Sequence, residues 1–160
     1  MQTFLPYESY MLSAVVLDYR RLGKQRVEAK QILMALQGES KGWVNHPAVK
    51  MWQGYEPSLA FYAIAICEEW VRRGYKDNLL PYFRDSYEKL REAGIDNINP
   101  HWLGNHEFHQ SHKSNLIRKD PAFYIPKFGY IDHDLPYIWN LGKADYEASL
   151  IMDNSELVII

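Results

Sequence analysis

SLAFYAIAICEEWVRRG, Ser58 to Gly74, is the stretch on which the fold turns. From Leu59 to Val71 it is apolar almost all round, a pattern that neither a half-exposed strand nor a surface helix sustains. It predicts a central buried helix. Pro57 stands near the start, where its missing N–H is tolerated. Arg72 and Arg73 place cations at the negative end of the helix dipole, and Gly74 supplies a C-terminal cap.

Helical periodicity extends to both sides. From Ser9, the apolar residues Met11, Leu12, Val15, Val16 and Tyr19 recur at helix spacing. Gly23 is expected to loosen or end this helix. Val27, Ile32, Leu33 and Leu36 then line a second apolar face, with Gly38 in a capping position. GWVNHPAVKMWQG, residues 42–54, reads as a loop with one turn after Pro47. A further helix is predicted from Leu80 to Ala93, ending at Gly94, and DNINPHWLGN, residues 96–105, is a loop. The last long helix runs from His106 to Lys119 and stops before Pro121. Only LVII, residues 157–160, has strand composition. These segments predict an all-α fold: a compact single-domain helical bundle with long loops. Its body spans residues 1–130, and residues 131–160 form an irregular acidic wrap.

The chain has 160 residues, enough to bury a core without disulfide or metal. Its single cysteine, Cys67, excludes an internal disulfide and a multi-cysteine zinc site. Between apolar neighbours it reads as a small buried hydrophobe. No apolar run reaches membrane length, and the N-terminus lacks a basic segment followed by a long apolar one, so a cytoplasmic protein is expected. The net charge of -2 argues against non-specific nucleic-acid binding, but charge is unevenly spread. Residues 1–127 hold 17 Lys and Arg against 14 Asp and Glu, whereas residues 128–160 hold one Lys against six acids. An acidic tail of this kind is either solvated or folded over a basic surface; if it covers that surface, deleting it raises affinity for a polyanion.

Two basic runs carry candidate chemistry. In DYRRLGKQRVEAK, residues 18–30, Arg20, Lys24 and Glu28 share one side of a helix, with Arg21 beside them and Arg26 and Lys30 following. The planar donor fork of arginine fits phosphate oxygens; the same run also reads as a solvated face with internal ion pairs. In SHKSNLIRKDPAFY, residues 111–124, Lys113, Arg118 and Lys119 can neutralise phosphates, and Ser111, Ser114 and Asn115 can hydrogen-bond backbone or base edges. Phe123 and Tyr124 can stack on unpaired bases. His106, His109 and His112, three residues apart in turn, are candidate metal ligands, although the spacing matches no specific metal motif. His46, in a Trp-flanked loop before Pro47, is a candidate acid or base. A phosphate loop, a nucleophile elbow and an H-E-x-x-H pattern are all absent.

Taken together, LDYRRLGKQRV (17–27), NHPAVKMWQGYEPSLAFYAIAICEEWVRRGY (45–75) and HEFHQSHKSNLIRKDPAFY (106–124) resemble the pyrimidine-dimer DNA glycosylases of the endonuclease V type, in a divergent bacterial branch that opens Met-Gln-Thr-Phe-Leu-Pro-Tyr. The resemblance implies a helical domain that kinks damaged or modified duplex DNA and extrudes a base. It also implies covalent catalysis by a chain-terminal threonine amine, which attacks sugar C1′ and forms a Schiff base while a first-helix glutamate stabilises the cationic sugar. No cofactor is implied. Two positions depart from that pattern. Gln2 stands after Met1 where the family has threonine, and Arg21 stands where the family has its glutamate. Glu28 is the carboxylate expected to take over, with Arg21 and His46 as further candidate catalytic groups. DNA is expected to be held by Arg20, Lys24, Arg26, Lys113, Asn115, Arg118, Lys119 and Tyr124. The alternatives are a nucleic-acid-binding module without catalysis and a metal-dependent enzyme built on the histidines.

Overall fold

The structure is a computed structural model that describes the backbone of residues 1–159 and the side chains of residues 1–153. Among the described residues there are eight helices and no strand. They are α1 (Tyr10–Val16), α2 (Tyr19–Leu36), α3 (Pro47–Lys50), α4 (Glu56–Arg72), α5 (Leu80–Glu92), α6 (His106–Lys119), α7 (Pro121–Phe128) and α8 (Lys143–Ile159).

Helix α4 is the core of the bundle, with α1, α2 and α5 packed around it. Leu59, Ala60, Tyr62, Ala63, Ile66 and Cys67 are fully buried, while Phe61 and Val71 reach the surface. Both closing arginines turn back onto Glu69, at 2.6 Å from Arg72 and 2.8 Å from Arg73. Gly74 follows with φ of 93°, a left-handed conformation that favours glycine at this cap.

The first helical stretch differs from the expectation drawn from periodicity. It breaks at Leu17–Asp18, not at Gly23. Ser9 caps α1 by accepting from the Leu12 N–H, and Asp18 caps α2 by accepting from the Arg21 N–H. Gly23 lies inside α2, where an added Cβ would sit 2.9 Å from the Trp70 ring of α4. The glycine therefore lets two helices close up; it does not end one. Helix α1 is short and packs through Ser13, Ala14 and the following Leu17, which leaves Met11, Leu12 and Val15 exposed.

Helix α6 has the predicted span, but it is not the last long helix. Asp120 ends it and caps α7 in turn, accepting from the Phe123 N–H at 3.3 Å. The acidic extension is irregular over residues 129–142 and helical in α8. The strand-like LVII falls in α8 as far as Ile159, and Ile160 lies outside the described residues. The extension docks where α8 begins: Lys143 N–H donates to the Gln53 carbonyl at 2.7 Å, and the Tyr146 ring lies parallel to His101 at 3.6 Å. Gly142 has no room for a side chain, because a Cβ there would stand 2.5 Å from the Lys50 carbonyl oxygen.

Candidate active site

The residues before α1 run as a non-helical thread through the interior, with Gln2, Thr3, Phe4 and Leu5 all buried. Backbone polar groups buried this way need partners. Two histidines of α6 serve Leu5: its N–H donates to His112 Nδ1 at 2.9 Å, and its carbonyl lies 2.8 Å from His109 Nδ1. His109 Nε2 accepts from the Gly104 N–H at 2.9 Å, so the proton of that ring is on Nδ1. Burial lowers the pKa of both rings, that of His112 to about 3.

Gln25 holds the start of the thread. It is fully buried on the inner face of α2, and all of its carboxamide is engaged. Oε1 accepts from the Phe4 N–H at 2.9 Å and lies 2.8 Å from the Tyr62 hydroxyl. Nε2 donates to the Gln2 carbonyl at 2.9 Å and to Glu28 Oε2 at 2.8 Å. One side chain thus ties residues 2–4 to the carboxylate of Glu28.

The thread and the outer face of α2 border a cleft of about 790 Å³. Met1, Gln2 and Phe4 line it from the thread, and Arg20, Arg21, Lys24 and Glu28 line it from α2. Lys119, Asp120 and Phe123 enter from the α6–α7 junction, and Tyr137 enters from the extension. Cations from α2 and α6 therefore share one opening. Lys24 and Lys119 make no ion pair among the described residues, and Arg20 bonds only to the neighbouring Tyr19 hydroxyl. Arg21 is the compensated one, 3.1 Å from Asp18 Oδ1.

That Asp18 is buried and well supplied with donors. Burial alone would raise its pKa; the Tyr124 hydroxyl and the Arg21 guanidinium and N–H outweigh this and hold it below the usual carboxylate range. The Asp18 N–H returns a bond to the Tyr124 oxygen at 3.0 Å. Tyr124, fully buried, is therefore a support for the start of α2, and Phe123 is the ring of that pair which lines the cleft.

The family model of pyrimidine dimer DNA glycosylase matches residues 1–81. The chain belongs to that family. The match spans the thread, α1, α2 and α4, and so covers Met1 through Glu28 of the cleft; Lys119, Phe123 and Tyr137 come from beyond it. No curated protein and no solved structure matches the chain.

Within this family member the remaining candidates lie elsewhere. Arg26 is sequestered 2.6 Å from Asp77 and over the Trp70 ring. Lys113 is half-buried above Tyr7, and burial lowers its pKa. Arg118 binds the His133 and Leu135 carbonyls, and Asn115 binds the Leu135 carbonyl at 3.2 Å. Ser114 and Ser111 accept from the N–H groups of Leu135 and Ile138. This polar face of α6 is spent on anchoring the extension. His46 caps α3 and lies between Trp43 and Trp139, outside the lining of the cleft. Among the described residues no group of three His, Cys, Asp or Glu side chains is placed to hold a metal ion. His109 and His112 are turned to the backbone thread, and His106 is exposed.

Sequence reasoning passed over Gln25 and the cleft-lining role of Gln2. Gln25 left a signal: it lies between Leu22 and Ala29 on the inward stripe of α2, where an uncharged polar residue needs internal partners.

Proposed function

We propose that this protein is a DNA glycosylase with strand-cleaving activity on damaged or modified pyrimidines in duplex DNA, acting through an amine in the cleft. The observation that carries the reading is the shared lining: Met1, Glu28 and the cations Arg20, Arg21 and Lys24, all within the family-matched segment, border one opening that Lys119 also lines. Arg20, Lys24 and Lys119 hold the sugar–phosphate strand, and Arg21 adds charge while bound to Asp18.

The nucleophile is the α-amine of Met1 when Met1 is the first residue of the mature chain. Its lone pair forms a bond to sugar C1′ as the glycosidic bond breaks, and the departing base takes the bonding pair and a proton. Ring opening gives an iminium. Loss of a 2′ proton then expels the 3′ phosphate, and water hydrolyses the iminium to return the amine. Glu28 faces the positive charge that develops on the sugar, and Gln25 fixes its orientation. Arg21 occupies the family's glutamate position, so Glu28 is the carboxylate left for this work.

The test is a panel of duplexes that differ only in one central site: a cyclobutane thymine dimer, an abasic site, an oxidised pyrimidine, or undamaged thymine. Base release and nicking on a damaged duplex, absent on the undamaged one, are expected. Salt-dependent binding with no turnover on any duplex would instead leave a binding module, a reading favoured by the Arg21–Asp18 pair at the glutamate position.

A further inference from the structure

Among the described residues, Gln2 is the one member of the N-terminal thread with a buried side-chain polar atom left without a partner. It is 6% exposed and lines the cleft. Its Oε1 accepts from the Thr3 N–H at 2.9 Å, and its backbone carbonyl is taken by Gln25. Because a backbone N–H is a donor, the atom facing Thr3 must be the oxygen, which fixes the amide's orientation. Nε2 then carries two N–H donors and has no partner. A buried donor left unpaired destabilises a fold by about 1–3 kcal/mol, and such groups are few in native proteins. At the edge of an open cleft, the arrangement is that of a donor held ready for an acceptor from outside.

The surroundings define that acceptor. Phe4, Phe123 and Tyr137 line the same cleft, and rings of this kind stack on a base taken out of the helix. Thymine-type rings present carbonyl oxygens as acceptors, whereas the exocyclic nitrogens of adenine and cytosine are donors.

We propose that the Gln2 side-chain amide is a specificity-determining group that donates to a carbonyl oxygen of a thymine- or uracil-type ring seated in the cleft. The inference rests on the glycosylase reading above and assigns its base-recognition contact. Met1 and Glu28 act on the sugar, which every lesion shares; Gln2 acts on the base, which an abasic site lacks.

The experiment uses two duplexes of one sequence, one with a thymine dimer and one with an abasic site. Gln2→Met keeps the length of the side chain and removes both donors. Gln2→Glu keeps the acceptor for the Thr3 N–H and replaces the donors with an oxygen that repels a carbonyl. The quantity read is the ratio of kcat/KM on the dimer duplex to that on the abasic duplex. It is expected to fall about tenfold in either variant, the loss of one hydrogen bond to a neutral acceptor. A ratio unchanged from wild type in both variants overturns the proposal, whatever happens to the absolute rates, because a merely structural Gln2 affects both duplexes alike. If wild type turns over neither duplex, the glycosylase reading fails on its own, and the ratio of dissociation constants for the two duplexes is read by the same criterion.

Discussion

Gln25 Nε2 lies 2.8 Å from Glu28 Oε2 and 2.9 Å from the Gln2 carbonyl oxygen, so a single nitrogen connects the cleft's carboxylate to the chain's N-terminal thread. The tie spans one turn of α2 on one side and more than twenty residues of sequence on the other. It makes the relative position of Met1 and Glu28 a property of the folded core.

Replacing Gln25 with leucine keeps volume and removes every one of those bonds, leaving the Phe4 N–H and the Gln2 carbonyl without a partner, while the Tyr62 hydroxyl keeps the Phe4 carbonyl. The expected loss in unfolding free energy is roughly 2–4 kcal/mol, from buried polar groups left unsatisfied. Urea unfolding of Gln25→Leu against wild type measures it; a change under about 0.5 kcal/mol, the range of ordinary surface substitutions, would mean the network is incidental.

Asp18 and Tyr124 set a pH dependence. The Asp18 carboxyl is depressed in the folded protein, so its contribution is present above the unfolded carboxylate pKa of about 4 and is lost as pH falls through the lower folded value. Tyr124→Phe removes the hydroxyl donor and is expected to destabilise the protein by about 1–2 kcal/mol at pH 7. The gap between variant and wild type then narrows below about pH 4, where the carboxyl protonates in both. Stability curves from pH 7 to pH 3 check this, and a gap that widens in acid contradicts it.

Basic residues divide into two classes by partner, and their variants follow that division. Arg20→Ala, Lys24→Ala and Lys119→Ala each reduce the slope of log affinity for DNA against log salt by about one. Arg26→Ala leaves the slope unchanged and instead destabilises the fold by roughly 3 kcal/mol, because Asp77 is left buried without its cation. Salt titrations paired with melting curves separate the classes; a slope change in Arg26→Ala, or none in the other three, reverses the assignment.

Much of the architecture is legible in the residues because its signals are local. The apolar run of α4, Gly74 and Gly94 as caps, and Pro121 after α6 each mark an element without reference to the rest of the chain. The break between α1 and α2 depends on the Asp18 cap, which is easily read as one more charge in a charged run. Helix α8 was hidden by the acidic composition of its segment. The site was legible as residue types and opaque as partnerships. Arg20, Lys24 and Arg26 look alike in sequence, yet Asp77, fifty-one residues from Arg26, takes that cation out of use. Ser111, Ser114, Asn115 and Arg118 have the donors and acceptors of a DNA contact, but the carbonyl and N–H groups of residues 133–138 occupy them first.

That anchoring bears on the extension. The described ion pairs include none between an acid of residues 130–153 and a cleft cation, and Tyr137 forms part of the cleft lining. Deleting residues 130–160 is therefore expected to lower both the melting temperature and the affinity for duplex DNA. Affinity measured by fluorescence anisotropy at fixed salt decides the matter: an increase would show that the acids shield the cleft after all.

The account depends most on an amine at the N-terminal end of the cleft. Borohydride reduction during turnover of a dimer-bearing or abasic duplex, followed by mass mapping of the cross-linked peptide, tests it directly. The expected result is one covalent adduct, carried by the peptide that begins at Met1. The absence of an adduct with both duplexes, or an adduct on the peptides of Lys24 or Lys119 instead, would contradict the account.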